Sequence, residues 1–151
     1  MDTLNEPKAA SATIPEPESV FRTVTRVRIE FIEAVDRELA PFDITSAQFF
    51  ILKLLMRGEV DSASGLCRGI SYDPGAMTRM LDRLEQKKLI RRVQHPEDRR
   101  KTSLAVTAEG KAVYPKLYDA ALTVVNRFLR GFTKGEVREL ESYLLRILAN
   151  I

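Results

Sequence analysis

Residues 73–106 read DPGAMTRMLDRLEQKKLIRRVQHPEDRRKTSLAV, and the order of elements written into this run decides the fold. Asp73 suits a helix N-cap, because its carboxylate accepts the free N–H groups of a first turn. Pro74 follows at the first helical position, where its missing N–H costs nothing and its fixed φ is already helical. Met77, Leu81 and Leu84 then recur at i, i+4 and i+7, with Met80 beside them, as one apolar stripe. The opposite face carries Gly75, Ala76, Thr78, Arg79, Asp82, Arg83 and Gln86. That surface is small at its start and basic further on, which fits a DNA major groove: small residues permit close approach, and Thr and Arg reach base edges and phosphates. For the helix taken alone, an amphipathic helix with a solvated charged face is the competing reading.

The residues after the helix decide between these two. Leu89, Ile90 and Val93 form a short apolar run interrupted by Arg91 and Arg92. His95, Pro96, Glu97, Asp98, Arg99, Arg100 and Lys101 make a charged tip, and Thr102, Leu104 and Val106 alternate with Ser103 and Ala105 as a half-buried strand does. Helix, strand, basic loop and strand make a winged helix-turn-helix with the loop as its wing. Charge is concentrated there. Between Arg79 and Lys101 nine bases stand against four acids, in a chain of 151 residues whose net charge is only +3. Such a cluster is the footprint expected for phosphate contact.

Upstream, DITSAQFFILKLL (residues 43–55) reads as another helix, stopped at Gly58, with Phe49, Leu52, Leu55 and Met56 on one side. Asp61 and Ser62 open a short third helix through Arg68, and residues 69–72 turn into the recognition helix. These three runs together resemble the MarR family of bacterial transcription regulators, over roughly residues 20–151. The family's recognition helix appears as Arg79-x-x-Asp82-Arg83-Leu84-Glu85, its wing as Asp98-x-Arg100, and its lead-in to the next helix as Val106-Thr107-x-x-Gly110. Two departures stand out. Lys88 occupies the position where the family commonly ends this helix with Gly, which implies a left-handed non-Gly residue there. Gly65 lies inside the supporting helix and weakens it by up to about 1 kcal/mol.

The flanks read as long helices. Val20, Val24, Val27, Phe31, Val35 and Leu39 keep helical spacing until Pro41 ends the run. Thr107 caps a helix from Ala108 to about residue 130 with Pro115 inside it, and Thr133-x-x-Glu136 is a capping box for a last helix to about Ala149. These helices carry more apolar surface than a small winged helix covers. The chain therefore divides into an arm at 1–17, rich in Pro and poor in apolar residues, and one MarR-type domain at 18–151. Within the domain, 43–106 is the DNA-binding lobe, and 18–40 with 108–151 are dimerisation helices. The alternative is that those helices fold back on their own lobe. The resemblance implies a two-fold homodimer, which places its recognition helices on a pseudo-palindromic operator; steric occlusion of a promoter by a protein with no activation surface makes repression the default outcome.

On this reading Gly75, Ala76, Thr78, Arg79 and Arg83 face the major groove. Arg100 and Arg99 reach the minor groove, and Asp98 orients a wing arginine. Arg91, Arg92, Lys87 and Lys101 are phosphate candidates, each of which also reads as a plain surface charge. The resemblance further implies release by a small aromatic or phenolic anion held where the dimerisation helices meet the lobe. Arg22, Arg26 and Arg28 are candidate cations, and Phe31, Phe42, Phe49 and Phe50 candidate walls; core packing reads equally well for those rings.

Other chemistries find little here. No convergent nucleophile, base and orienting group is visible, His95 sits in a charged loop, and there is no glycine-rich phosphate loop, so no enzyme is expected. A single cysteine permits no internal disulfide, and no Cys/His spacing predicts a metal or other cofactor. A redox-responsive regulator using Cys67, beside Arg68, is the rival function; against it, Cys67 reads as a small buried hydrophobe behind the recognition helix. No signal-peptide core or membrane-length apolar run appears, so a cytoplasmic location is expected.

Overall fold

Six α-helices and one two-stranded hairpin make up the described residues, 17–70, 72–94 and 102–151, of a computed structural model of the chain. Helix α1 (Pro17–Leu39) starts three residues before the expected Val20, on a proline that sits at a first helical position without loss. The arm read at 1–17 is shortened accordingly, and residues 1–16 lie outside the described residues. A short 3-10 turn, Ala40–Phe42, holds Pro41, and Asp43 closes it in the left-handed region at φ 55°.

Helix α2 (Ser46–Arg57) begins at a reciprocal cap. Thr45 Oγ1 accepts the Gln48 N–H at 3.3 Å while Gln48 Oε1 accepts the Thr45 N–H at 3.2 Å. It ends on Gly58 at φ 67°, where the missing Cβ removes the left-handed clash. Helix α3 (Ala63–Ile70) runs two residues past the expected end at Arg68, so Gly69 and Ile70 belong to the helix and not to the turn. Ile70 packs against the core, and that packing outweighs the low helix propensity of Gly69. Helix α4 (Pro74–Gln86) follows, then β1 (Ile90–Gln94) and β2 (Thr102–Val106), paired antiparallel from Ile90↔Val106 to Gln94↔Thr102. Helices α5 (Ala108–Phe128) and α6 (Lys134–Leu148) each start on a threonine cap, at Thr107 and Thr133.

The core gathers Val35 and Leu39 of α1, Phe49, Ile51 and Leu52 of α2, Leu66 of α3, the Met77/Leu81/Leu84 stripe of α4, Ile90 of β1, and Leu117 and Val124 of α5. Ile51, outside the stripe expected for α2, is fully buried. Two surfaces stay outside this core. The first half of α1 exposes Val20, Phe21, Val24 and Val27, and α6 has no buried residue at all although Leu140, Leu144, Leu145 and Leu148 are on it. A helix of 15 residues with no fully buried side chain draws little stability from packing within one copy. No single helix among the described residues is long and apolar enough to cross a membrane.

Candidate nucleic-acid interface

Helix α4 is seated by its stripe and its cap. Met77, Leu81 and Leu84 are buried against α2 and α3, and Asp73 Oδ1 accepts the Ala76 N–H at 2.9 Å. That seating turns Gly75, Thr78, Arg79, Arg83 and Gln86 to solvent, with Ala76 half-buried. A Cβ on Gly75 would stand 3.7 Å from Arg79 Nη1, so the guanidinium lies back along the bare backbone of the first turn. Thr78 Oγ1 donates to the Pro74 carbonyl at 2.9 Å, which leaves its lone pairs outward. Arg83 is on the α2 flank, in a depression of about 470 Å³ that it shares with Asp36, Thr45 and Gln48.

The cations around α4 are not equivalent. The Arg92 guanidinium bonds Asp82 Oδ1 at 2.6 Å through Nη2 and Glu85 Oε2 through Nη1, and the Arg92 N–H donates to Glu85 Oε1 at 3.1 Å. Its pKa is held above the ordinary guanidinium value, chiefly by the hydrogen bond to Asp82, with Glu85 adding to it against the burial that opposes charge. Lys87 Nζ bonds Asp43 Oδ2 at 2.6 Å and also reaches the Asp43 carbonyl. Two cations read as phosphate candidates are thus paired, at the surface, with acids of the same chain. Arg91 and Lys88 are exposed, and Lys88 takes φ 59°, the left-handed residue expected there. Among the described residues Arg79, Arg83 and Arg91 carry no ion pair.

The hairpin is welded at its root. The Leu104 N–H donates to the Asp61 carbonyl at 2.7 Å, tying β2 to the segment before α3. Thr107 Oγ1 donates to the Lys88 carbonyl at 2.5 Å and accepts the Gly110 N–H at 3.0 Å, while the Thr107 N–H donates to the Leu89 carbonyl at 3.0 Å. A Cβ on Gly110 would fall 2.2 Å from that Leu89 oxygen, so glycine is required by the approach of α5 to the end of the α4 turn. His95, Asp98, Arg99, Arg100 and Lys101 lie outside the described residues, in the segment joining β1 to β2.

The candidate effector residues are not brought together. Phe31 and Phe49 line a cavity of about 250 Å³ between α1, α2 and α5, with Phe50, Tyr118 and Leu122. Its cation is Lys53, which sequence reasoning missed although it stands one helical turn after Phe49 on the same face of α2. Arg22 and Arg26 lie further out on α1, in a separate depression with Val27 and Phe128, and Arg26 faces Glu30 at 3.9 Å. Arg28 lines a third, of about 370 Å³, with Lys53, Arg57 and Tyr72. Phe42 is exposed on the 3-10 turn. Phe49 stacks on Tyr114 with ring centres 6.2 Å apart, and burial pushes the Tyr114 hydroxyl pKa up. Cys67 is half-buried on α3 and packs against the core. Among the described residues no group of three His, Cys, Asp or Glu converges as a metal site.

Comparison with known proteins agrees with this geometry. A family model described as the MarR family matches residues 44–102. The HTH-type transcriptional repressor MdtR of Bacillus subtilis is 30% identical over 112 residues, covering 74% of this chain and 70% of that protein. The multiple antibiotic resistance protein MarR of Escherichia coli is 33% identical over 111 residues, 73% of this chain and 77% of that one. A crystal structure of a mutant of the latter, complexed with operator DNA, matches with a TM-score of 0.78 at 29% identity, covering 86% of this chain and 94% of that one. CouR from Rhodococcus jostii, bound to p-coumaroyl-CoA, matches at 22% identity with a TM-score of 0.78 over 86% of this chain and 92% of that one, a likeness of fold alone.

Proposed function

The chain belongs to the MarR family of transcriptional regulators, and from that premise we propose that it is a homodimeric repressor gripping a pseudo-palindromic operator in double-stranded DNA. The observation that carries this reading is the outer face of α4: a bare first turn at Gly75 and Ala76, then Thr78 and Arg79, with Arg83 exposed at the edge toward α2 and no ion pair on either arginine among the described residues. Such a face enters a major groove, where a guanidinium reads a guanine edge. Arg91 supplies a phosphate contact beside it. For the segment outside the described residues the proposal rests on sequence alone: Arg100 and Arg99 at the minor groove, Asp98 orienting a wing arginine, and Lys101 on phosphate. Residues 43–106 form the reading lobe, and 18–40 with 108–151 join the two copies.

The uncovered apolar faces of α1 and α6 support the dimer, since a second copy buries them without further sequence. Its two recognition helices then address half-sites about one helical turn, roughly 34–36 Å, apart. The cavity of Phe31, Phe49, Phe50, Tyr118 and Lys53 suits a small aromatic anion, with the ammonium as counter-charge. A tenfold preference of such a ligand for the form that does not fit DNA shifts the balance by about 1.4 kcal/mol per site. A regulator of this kind works in the cytoplasm, beside the chromosome.

Sequencing genomic fragments retained by the purified protein supplies the operator, and a salt-controlled anisotropy titration then tests the interface. Arg79→Ala is expected to weaken operator binding by roughly ten- to a hundredfold and to relax specificity. Arg91→Ala is expected to weaken all duplexes alike and to lower the salt slope by about one. A stable monomer in the ultracentrifuge, with no salt-sensitive affinity for any duplex, overturns the proposal.

A further inference from the structure

Nine bases fall between Arg79 and Lys101 in the sequence, and one of them, Arg92, is paired at the surface with acids of its own chain. Its side chain forks between two carboxylates of α4, Asp82 and Glu85, while its own main-chain N–H donates to Glu85 at 3.1 Å. That last bond occupies an N–H on the outer edge of β1, a group which otherwise faces water or a stray strand. Glu85 therefore holds β1 twice, by backbone and by guanidinium, and Asp82 adds a third attachment one helical turn earlier. The acids and Arg92 lie on the flank of α4 toward the hairpin, whereas Arg83 and Lys87 face the opposite flank, toward α2 and Asp43. A planar fork with five donors suits two carboxylates at once in a way that an ammonium does not.

We propose that Arg92 is a positioning residue that fixes the pitch of the wing against the recognition helix, and that Asp82 and Glu85 are there to hold it. This rests on the DNA-binding reading above and adds a division of labour to it: Arg91 meets phosphate, and Arg92, its neighbour on the other side of the strand, meets α4. The two roles respond to substitution with opposite signs. If the charges around α4 acted only through their field on DNA, neutralising Asp82 and Glu85 would remove repulsion and tighten binding. If the acids hold Arg92, neutralising them frees the hairpin, and the complex must then restore its orientation at each half-site.

The test compares D82N/E85Q, R92A, R92K and the triple variant D82N/E85Q/R92A on the operator duplex, each at several salt concentrations. D82N/E85Q and R92A are each expected to weaken binding by about threefold per half-site and about tenfold for the dimer, with the salt slope unchanged. The triple variant is expected to lose no more than R92A, because the groups act as one unit. R92K is expected to recover part of the loss, since an ammonium reaches one of the two carboxylates. Amide exchange measured on the DNA-free protein supplies a second readout: the Arg92 N–H is expected to exchange faster in D82N/E85Q than in the wild type. Tighter or unchanged binding by D82N/E85Q overturns the proposal, as does an R92A variant whose salt slope drops by about one with amide exchange unaltered. If the wild type holds no duplex while the Arg92 amide is protected and released as described, the DNA reading fails and the attachment of β1 to α4 stands.

Discussion

Replacing Gly110 by alanine tests whether the hairpin root is as tight as its geometry requires. The new Cβ would lie 2.2 Å from the Leu89 carbonyl oxygen and 2.7 Å from Val106 Cγ1. Ordinary contact of a Cβ begins near 3.4 Å, so α5 or the Leu89 peptide must retreat by roughly 1 Å. Retreat is resisted, because the same carbonyl accepts the Thr107 N–H at 3.0 Å and Thr107 Oγ1 bridges Lys88 and Gly110. Overpacking of this kind costs about 1–3 kcal/mol and a lost hydrogen bond about 1 more, against a helix-propensity gain for alanine of up to about 1. The net expectation is destabilisation by about 2 kcal/mol, or a fall in Tm of roughly 4–8 °C. Gly135→Ala is the internal control, for its Cβ would meet nothing closer than Thr133 Oγ1 at 3.8 Å. It is expected to stabilise by up to about 1 kcal/mol. Thermal and urea unfolding at one protomer concentration measure both, since oligomers shift with concentration. A Gly110→Ala protein as stable as the wild type refutes the close approach.

Two more perturbations concern the backbone and titration. Lys88→Gly relieves a left-handed residue at φ 59°; the relief of about 1–2 kcal/mol exceeds the entropy lost with glycine, so calorimetry is expected to show a net gain of about 0.5 kcal/mol, and a lower Tm contradicts it. Glu136 is held below the usual carboxylate range by the backbone N–H and then the hydroxyl of Thr133. Its contribution is therefore present above the ordinary glutamate pKa and lost as pH falls through the lowered value. Unfolding measured across that acid window is expected to show the wild type converging on Glu136→Gln, whose own stability does not follow this titration; parallel curves contradict the cap.

Much of this molecule is legible along the chain because its signals are local. Asp73-Pro74, Thr107, Thr133-x-x-Glu136 and Gly58 mark helix ends within four residues of the groups they satisfy, and Met77, Leu81 and Leu84 declare the buried side of α4 by spacing alone. Those features place the recognition helix and its outer residues without any tertiary contact. The partners of the charges are another matter. Arg92 meets Asp82 across 10 positions and Lys87 meets Asp43 across 44, so two cations that look alike in sequence differ from Arg91 only once the helices are packed. Lys53 joins Phe31 and Tyr118 in one cavity while Arg22 and Arg26 fall outside it, and Gly110 becomes indispensable only because the Leu89 carbonyl arrives beside it. Periodicity tells which side of a helix is buried, but not the angle or distance at which it meets the next element. Ion pairs and close contacts depend on that distance to within an ångström or so, and here only the assembled fold decides it.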